Sequence, residues 1–119
     1  MPKLYGRFFF LKTDNGNLIG EFSNNLGTVV STESSDFTEP CADIECSNCR
    51  YCGTYHSTWQ EDGAALFAEL KISKKAGTDK LFSLKWRRNT KLIFLGEGML
   101  FNGMLIGDYR EPTSTEKTA

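Results

Sequence analysis

Apolar and polar residues alternate with a period of two along most of this chain, and Gly, Asn and Asp interrupt the alternation at short intervals. The clearest run is residues 66–73, where Leu66, Ala68, Leu70 and Ile72 fall on one side and Phe67, Glu69, Lys71 and Ser73 on the other. The stretch AALFAEL contains good helix formers. The strict alternation nevertheless continues through Ile72, and a turn-like Glu61-Asp62-Gly63 precedes it, so a strand is predicted. Phe82, Leu84 and Trp86 alternate with Ser83, Lys85 and Arg87 in the same way. Between such runs stand Asp14-Asn15-Gly16, Asn24-Asn25, Asp62-Gly63, Ala76-Gly77 and Asn102-Gly103, all of which favour tight reversals. The template predicts about eight strands, at 4–12, 17–23, 27–32, 53–59, 65–73, 80–87, 91–99 and 104–110.

Short antiparallel strands joined by tight turns must hide their edges, and closing the sheet on itself does so. The expected fold is therefore all-β: one up-and-down antiparallel barrel over residues 1–110, with 33–52 as a cysteine-rich loop insertion. The polar ending EPTSTEKTA, 111–119, has no periodicity and is expected to be a disordered tail. A short echo, GNLIGEF at 16–22 and GMLIGDY at 103–109, is explained by two hairpins using one device. Each has a Gly at the turn, then a Gly in the strand where it bends or meets another backbone.

Several stretches, in this order, resemble the calycin-like small barrels, the lipocalin, fatty-acid-binding and avidin-like group. They are GNLIGEFSNNLGT at 16–28, GTYHSTW at 53–59, and FSLKWRRNTKLIFLGEGMLFNGMLIGDY at 82–109, where a Trp strand leads to Phe-x-Gly-x-Gly and a terminal hairpin. The likeness is architectural, without the lipocalin Gly-x-Trp near the N-terminus. It implies a barrel that commonly holds one small apolar molecule, although an eight-stranded barrel is equally able to fill with its own side chains.

Composition narrows the classes. At 119 residues the chain is one domain long. With 14 Lys plus Arg against 15 Asp plus Glu, its net charge of -1 offers no global attraction to nucleic acid or an anionic membrane. The N-terminal MPKLYGRFFFLKTDNG reads as a strand and not a signal, and no apolar run approaches the roughly 20 residues of a membrane helix. A cytoplasmic protein is expected, and there cysteines are thiols or metal ligands more often than disulfides.

All 4 cysteines and the only histidine lie in CADIECSNCRYCGTYH, residues 41–56. Cys41, Cys46, Cys49 and Cys52 have the spacing x4, x2, x2, and the Cys-x2-Cys steps suit a closed tetrahedral Zn2+ site that would order a polar loop. His56 is the reserve ligand, on the expectation that residues 52, 54 and 56 share a face. An iron–sulfur cluster is a second reading, since Cys46, Cys49 and Cys52 reproduce the start of a ferredoxin run that then departs from the pattern. Ordinary thiols or disulfides are the third. A nucleophile needs a base and an orienting group; only Cys52 and His56 qualify as a pair, so no catalytic residue is assigned.

A ligand in the barrel would meet the inward aromatics. Phe22, Tyr55, Trp59, Phe82, Trp86, Phe94 and Tyr109 are the wall candidates. Trp59, Trp86, Tyr109, Tyr55 and Phe82 are named as ligand-binding. Lys71, Lys74, Lys75, Lys80, Lys85, Arg87, Arg88 and Lys91 face a single acid, Asp79, over residues 71–91. These basic strands support an alternative, an interaction or single-stranded nucleic-acid-binding protein. The first expectation is a non-enzymatic binding module for a small apolar molecule, with a structural zinc loop and no membrane partner.

Overall fold

The computed structural model describes residues 3–27, 30–41, 50–61, 63–78 and 80–118. Eight strands follow in chain order: β1 (Tyr5–Lys12), β2 (Leu18–Asn24), β3 (Ser31–Glu39), β4 (Gly53–Glu61), β5 (Ala64–Lys74), β6 (Leu81–Arg88), β7 (Lys91–Phe101) and β8 (Met104–Arg110). Each pairs antiparallel with the next, and β8 returns to β1, so the sheet is a closed up-and-down barrel with no free edge.

The alternation explains which side chains fill it. Phe8 and Phe10 of β1, Leu18 and Phe22 of β2, Ala68, Leu70 and Ile72 of β5, Phe82, Leu84 and Trp86 of β6, and Leu105 and Tyr109 of β8 form one buried cluster. In β5 the strand reading holds over the helical one, with Phe67 and Glu69 exposed on the outer wall. The two glycines inside the echoed segments serve close packing. A Cβ on Gly20 would overlap the Phe9 carbonyl oxygen, and one on Gly107 that of Glu97.

Turn chemistry holds at Asn102-Gly103, where φ is 51° and 79°, the pair of positive values that a type I′ hairpin requires. Between β6 and β7 the same turn is made by Asn89 and Thr90, with φ of 51° and 69°. No Gly announces that reversal in the sequence.

Two expectations change. β3 starts at Ser31 and runs to Glu39, through residues expected to open the loop insertion. STESSDFTE does alternate, but Glu33 and Ser35 occupy the buried positions, so the inward face is polar and invisible to a hydrophobic pattern. The tail is also more ordered than expected. Leu4 N–H donates to Glu111 Oε1 at 2.8 Å and Glu111 N–H to the Leu4 carbonyl at 3.0 Å. Thr113 and Glu116 then form a capping box, each backbone N–H bonded to the other's side chain, around a 3-10 turn at Glu116–Thr118. Arg110 grips the Glu116 carboxylate with both terminal nitrogens, at 2.6 and 2.7 Å. That grip holds the Glu116 carboxyl near 2, well below the usual range.

One end of the barrel is sealed by the last residues of the cysteine segment. Tyr51 is buried there, its hydroxyl bonded to the carbonyls of Phe10 (3.2 Å) and Gly103 (2.6 Å), while Lys12 N–H donates to it at 3.2 Å. The Lys12 ammonium donates to the Arg50 carbonyl at 2.5 Å and to the Tyr55 hydroxyl at 3.3 Å, and it lies over the rings of Phe37 and Tyr55. Burial, with the Arg50 charge second, lowers the Lys12 pKa. Tyr51→Phe keeps the ring and removes these bonds, and it is expected to cost about 1–3 kcal/mol. The check is a lower urea midpoint with an unchanged slope; an unmoved midpoint would show that the hydroxyl does not hold the plug.

Candidate functional site

The opposite end, where β1 begins, β8 ends and β2 leads to β3, β4 to β5 and β6 to β7, carries the aromatic cluster. Phe22, Trp59, Phe94 and Tyr109 form a closed circuit of rings. Their centroids are 6.5 Å apart from Phe22 to Trp59, 6.5 Å to Phe94, 5.5 Å to Tyr109 and 6.1 Å back to Phe22. Three of these four contacts are near-perpendicular, at 83–87°, the edge-to-face geometry that ring quadrupoles favour. Trp86 closes the circuit from below, 6.4 Å from Phe94 and 6.1 Å from Tyr109, and Phe8 lies 5.8 Å further in.

Local sequence places these rings. Trp59 and Glu33 are direct cross-strand partners on β4 and β3, as are Trp86 and Phe94 on β6 and β7. Just beyond Trp86 the β6–β7 register shifts, so Arg87 pairs with Leu92. Gly96 leaves room for the Trp86 indole, since a Cβ there would sit 3.0 Å from its ring.

At the bottom is a carboxyl group. Glu33 is only 5% exposed, and Oε2 accepts hydrogen bonds from Ser57 Oγ and from Trp86 Nε1, the latter at 2.8 Å. Ser35 Oγ and Ser57 Oγ are 2.8 Å apart, so β3, β4 and β6 are joined across the interior. Burial raises the Glu33 pKa against the opposing pull of its Ser57 and Trp86 hydrogen bonds. Nearer the rim, Glu61 Oε1 accepts from Trp59 Nε1 at 2.9 Å. Tyr109 responds to both acids. Its pKa is pushed up to about 12 by burial, opposed by a hydrogen bond with Asn24 and reinforced by the charges of Glu61 and Glu33.

These side chains line a half-open cavity of ≈ 20 Å³, room for about one water molecule. Above it lies a cleft of ≈ 670 Å³ that shares Trp59, Glu61 and Phe94 with the cavity. Leu66, Leu92, Ile93 and Pro112 give the cleft apolar walls, and Arg88, Lys91, Glu111 and Lys117 give it a charged margin. Arg88 lies over the Trp59 and Phe67 rings at 6.0 and 5.6 Å.

Of the residues expected to contact a ligand, Trp59, Trp86 and Tyr109 come together here, joined by the wall candidates Phe22 and Phe94. Tyr55 does not, because it faces the sealed end, 5.6 Å from Phe37 with its hydroxyl on the Tyr51 carbonyl. Phe82 is buried core four positions from Trp86 on β6, away from the cavity. Glu33 and Glu61 escaped the sequence reading. The available signal for Glu61 was its position two residues after Trp59, on the same face of β4.

Cys41 and residues 50–52, the described residues of the cysteine segment before β4, lie at the sealed end. Cys46 and Cys49 lie outside the described residues. Cys41 is a half-buried free thiol packed against the core cluster, and Cys52 is buried with its sulfur in a disulfide. His56 is exposed on the outer wall, stacked on Phe67 at 5.9 Å. It does not share a face with Cys52, because the chain enters β4 through Gly53 at φ 144°, which breaks the alternation. Among the described residues no three His, Cys, Asp or Glu side chains converge on one point as metal ligands do. On the basic strands, Lys71 and Lys85 are outward cross-strand neighbours, and Lys75 pairs with Glu97. Trp86 points inward and is 4% exposed, so it is not on that outer face.

Glu33→Gln preserves the shape and an acceptor while removing the ionisable group. Because the folded pKa is raised, stability tied to Glu33 is complete below its unfolded value near 4.5 and is lost as pH rises through the folded value. The variant should therefore match the parent in Tm near pH 4 and exceed it increasingly above pH 5. Parallel Tm curves across that range would contradict the burial of an ionisable Glu33.

No protein-family model matches this chain, and neither a curated protein nor a solved structure matches it, so the closed barrel and the chemistry of its open end are what a functional reading rests on.

Proposed function

We propose that this protein is a small-molecule binding module whose ligand enters the end of the barrel opposite the cysteine segment. The observation that carries this reading is the two-tier opening. An apolar-walled cleft within the usual size range of ligand sites leads to a small cavity with a few convergent polar groups. The interior below is filled by Phe10, Leu70, Phe82, Leu84 and Leu105, so the ligand lies in the mouth and does not run through the barrel. The calycin-like resemblance supports the same class of activity, with the difference that the enclosed space here is small.

Both tryptophans of the chain stand in this site, so fluorescence excited at 295 nm reports on it alone. A panel of small neutral, cationic and anionic aromatic compounds is expected to contain members that quench or shift that emission at sub-millimolar concentration. Trp59→Ala should weaken such binding at least tenfold, while Tyr55→Phe at the other end leaves it unchanged. A panel with no effect on either indole would end this reading.

For the reduced chain, a structural Zn2+ on Cys41, Cys46, Cys49 and Cys52 remains a second proposal. It draws on the packing of Cys41 and Cys52, the two ends of the set, against one core cluster. A sulfur held in a disulfide is not a thiolate ligand, so the proposal applies to protein purified under reducing conditions. Elemental analysis should then find about one zinc per chain; four titratable thiols with no metal would exclude it, and a coloured preparation would favour iron–sulfur.

A further inference from the structure

The inner cavity has an unusual chemistry for a site so apolar. Both indole N–H groups are committed, Trp86 to Glu33 and Trp59 to Glu61, and the Tyr109 hydroxyl is turned toward the Ser23 carbonyl at 3.4 Å. Among the described residues the cavity lining contains no Lys, Arg or His. What it presents to a guest is therefore ring surface and carboxylate oxygen. Two hydrogen bonds converge on Glu33 Oε2, whereas Oε1 receives none among the described residues, and Glu33 lines the cavity. No buried side-chain oxygen or nitrogen among the described residues lacks a partner, so an Oε1 without a donor is one that a guest or water in the cavity can reach.

An anionic guest would be repelled, and a guest that only accepts hydrogen bonds finds no free N–H. A cation satisfies both kinds of surface, since ring faces attract positive charge and a desolvated carboxylate attracts it more strongly. Size narrows the choice. A cavity of ≈ 20 Å³ admits a group about as large as a water molecule, which a primary ammonium is and a trimethylammonium is not. The remainder of such a guest would lie along Leu66, Leu92 and Ile93 in the cleft above.

We infer that the ligand is a primary amine, whose ammonium end occupies the cavity against Glu33 Oε1 and Glu61 within the aromatic circuit, and whose apolar body lies in the outer cleft. This rests on the proposed site and adds the chemical class of its occupant. It also gives a reason for a carboxyl group to stand in an apolar interior at a cost in stability.

The test compares three compounds that share a phenylethyl body and differ in the head group, by tryptophan fluorescence and calorimetry: 2-phenylethylammonium, 2-phenylethanol and trimethyl(2-phenylethyl)ammonium. The primary ammonium should bind at least tenfold more tightly than either of the others. Glu33→Gln should erase that preference by weakening the ammonium at least tenfold while changing the alcohol less than threefold. Glu61→Gln, at the rim, should weaken the ammonium several-fold and serves if Glu33→Gln folds poorly. Equal binding of the alcohol, tighter binding of the trimethyl compound, or indifference to both substitutions would overturn the ammonium assignment and leave the binding site in place. Binding of none of the three, with the fold intact by circular dichroism, would mean that the cavity holds only a buried water, and it too overturns the assignment. Whether the mouth binds anything at all is then decided by the wider panel.

Discussion

The hydrogen bonds that Ser57 and Trp86 donate to Glu33 are the interaction on which this barrel's arrangement turns. A closed sheet needs every strand to present its inner side chains to the core, and β3 presents Glu33 and Ser35. Unpaired, these buried polar groups would carry a desolvation cost of about 1–3 kcal/mol each. Paired through Ser35, Ser57 and Trp86, they join β3 to β4 and β6 across the interior, and closure becomes compatible with a polar strand. A polar contact thus joins three strands of the closed sheet across an otherwise apolar core.

The same contact divides the molecule into two ends. Below it the interior is packed with Phe, Leu and Ile and floored by Tyr51, whose hydroxyl ties the cysteine segment to β1 and to the turn before β8. Above it the rings stand edge to face around a space that the aliphatic side chains do not fill. The burial that raises the Glu33 pKa and the commitment of both indole N–H groups are consequences of one geometry, with each carboxylate seated against a tryptophan edge. If the proposed ligand binds here, stability and recognition compete at this residue, as is common where an ionisable group is held in a cleft.

Much of this was legible in the alternation of residues 4–12, 65–73 and 80–87, in Asn102-Gly103, and in the inward aromatics Trp59, Trp86 and Tyr109. The misreadings have specific causes. β3 is expected at 27–32 and found at Ser31–Glu39, because hydrophobic periodicity detects inward faces only when they are apolar. The ordered Glu111–Thr118 segment was hidden because its anchors are a capping box and an Arg110 fork, both polar. His56 was grouped with Cys52 because alternation was carried across Gly53, where the backbone departs from extended geometry. Tyr55 and Phe82 were grouped with Trp59 and Trp86 because side of strand is readable from sequence, whereas height along the barrel is not.

By itself, then, the sequence determined the class of fold, most strand positions and which aromatic residues face inward, because these depend on local alternation and turn propensity. Only the tertiary structure decided which inward residues meet. Register and closure set Glu33 opposite Trp59 and beneath Trp86, brought Phe22 and Tyr109 to Phe94, and sent Tyr55 to the far end. Those are contacts between strands distant in the chain, fixed by the pairing of the whole sheet, and no short window of residues contains them.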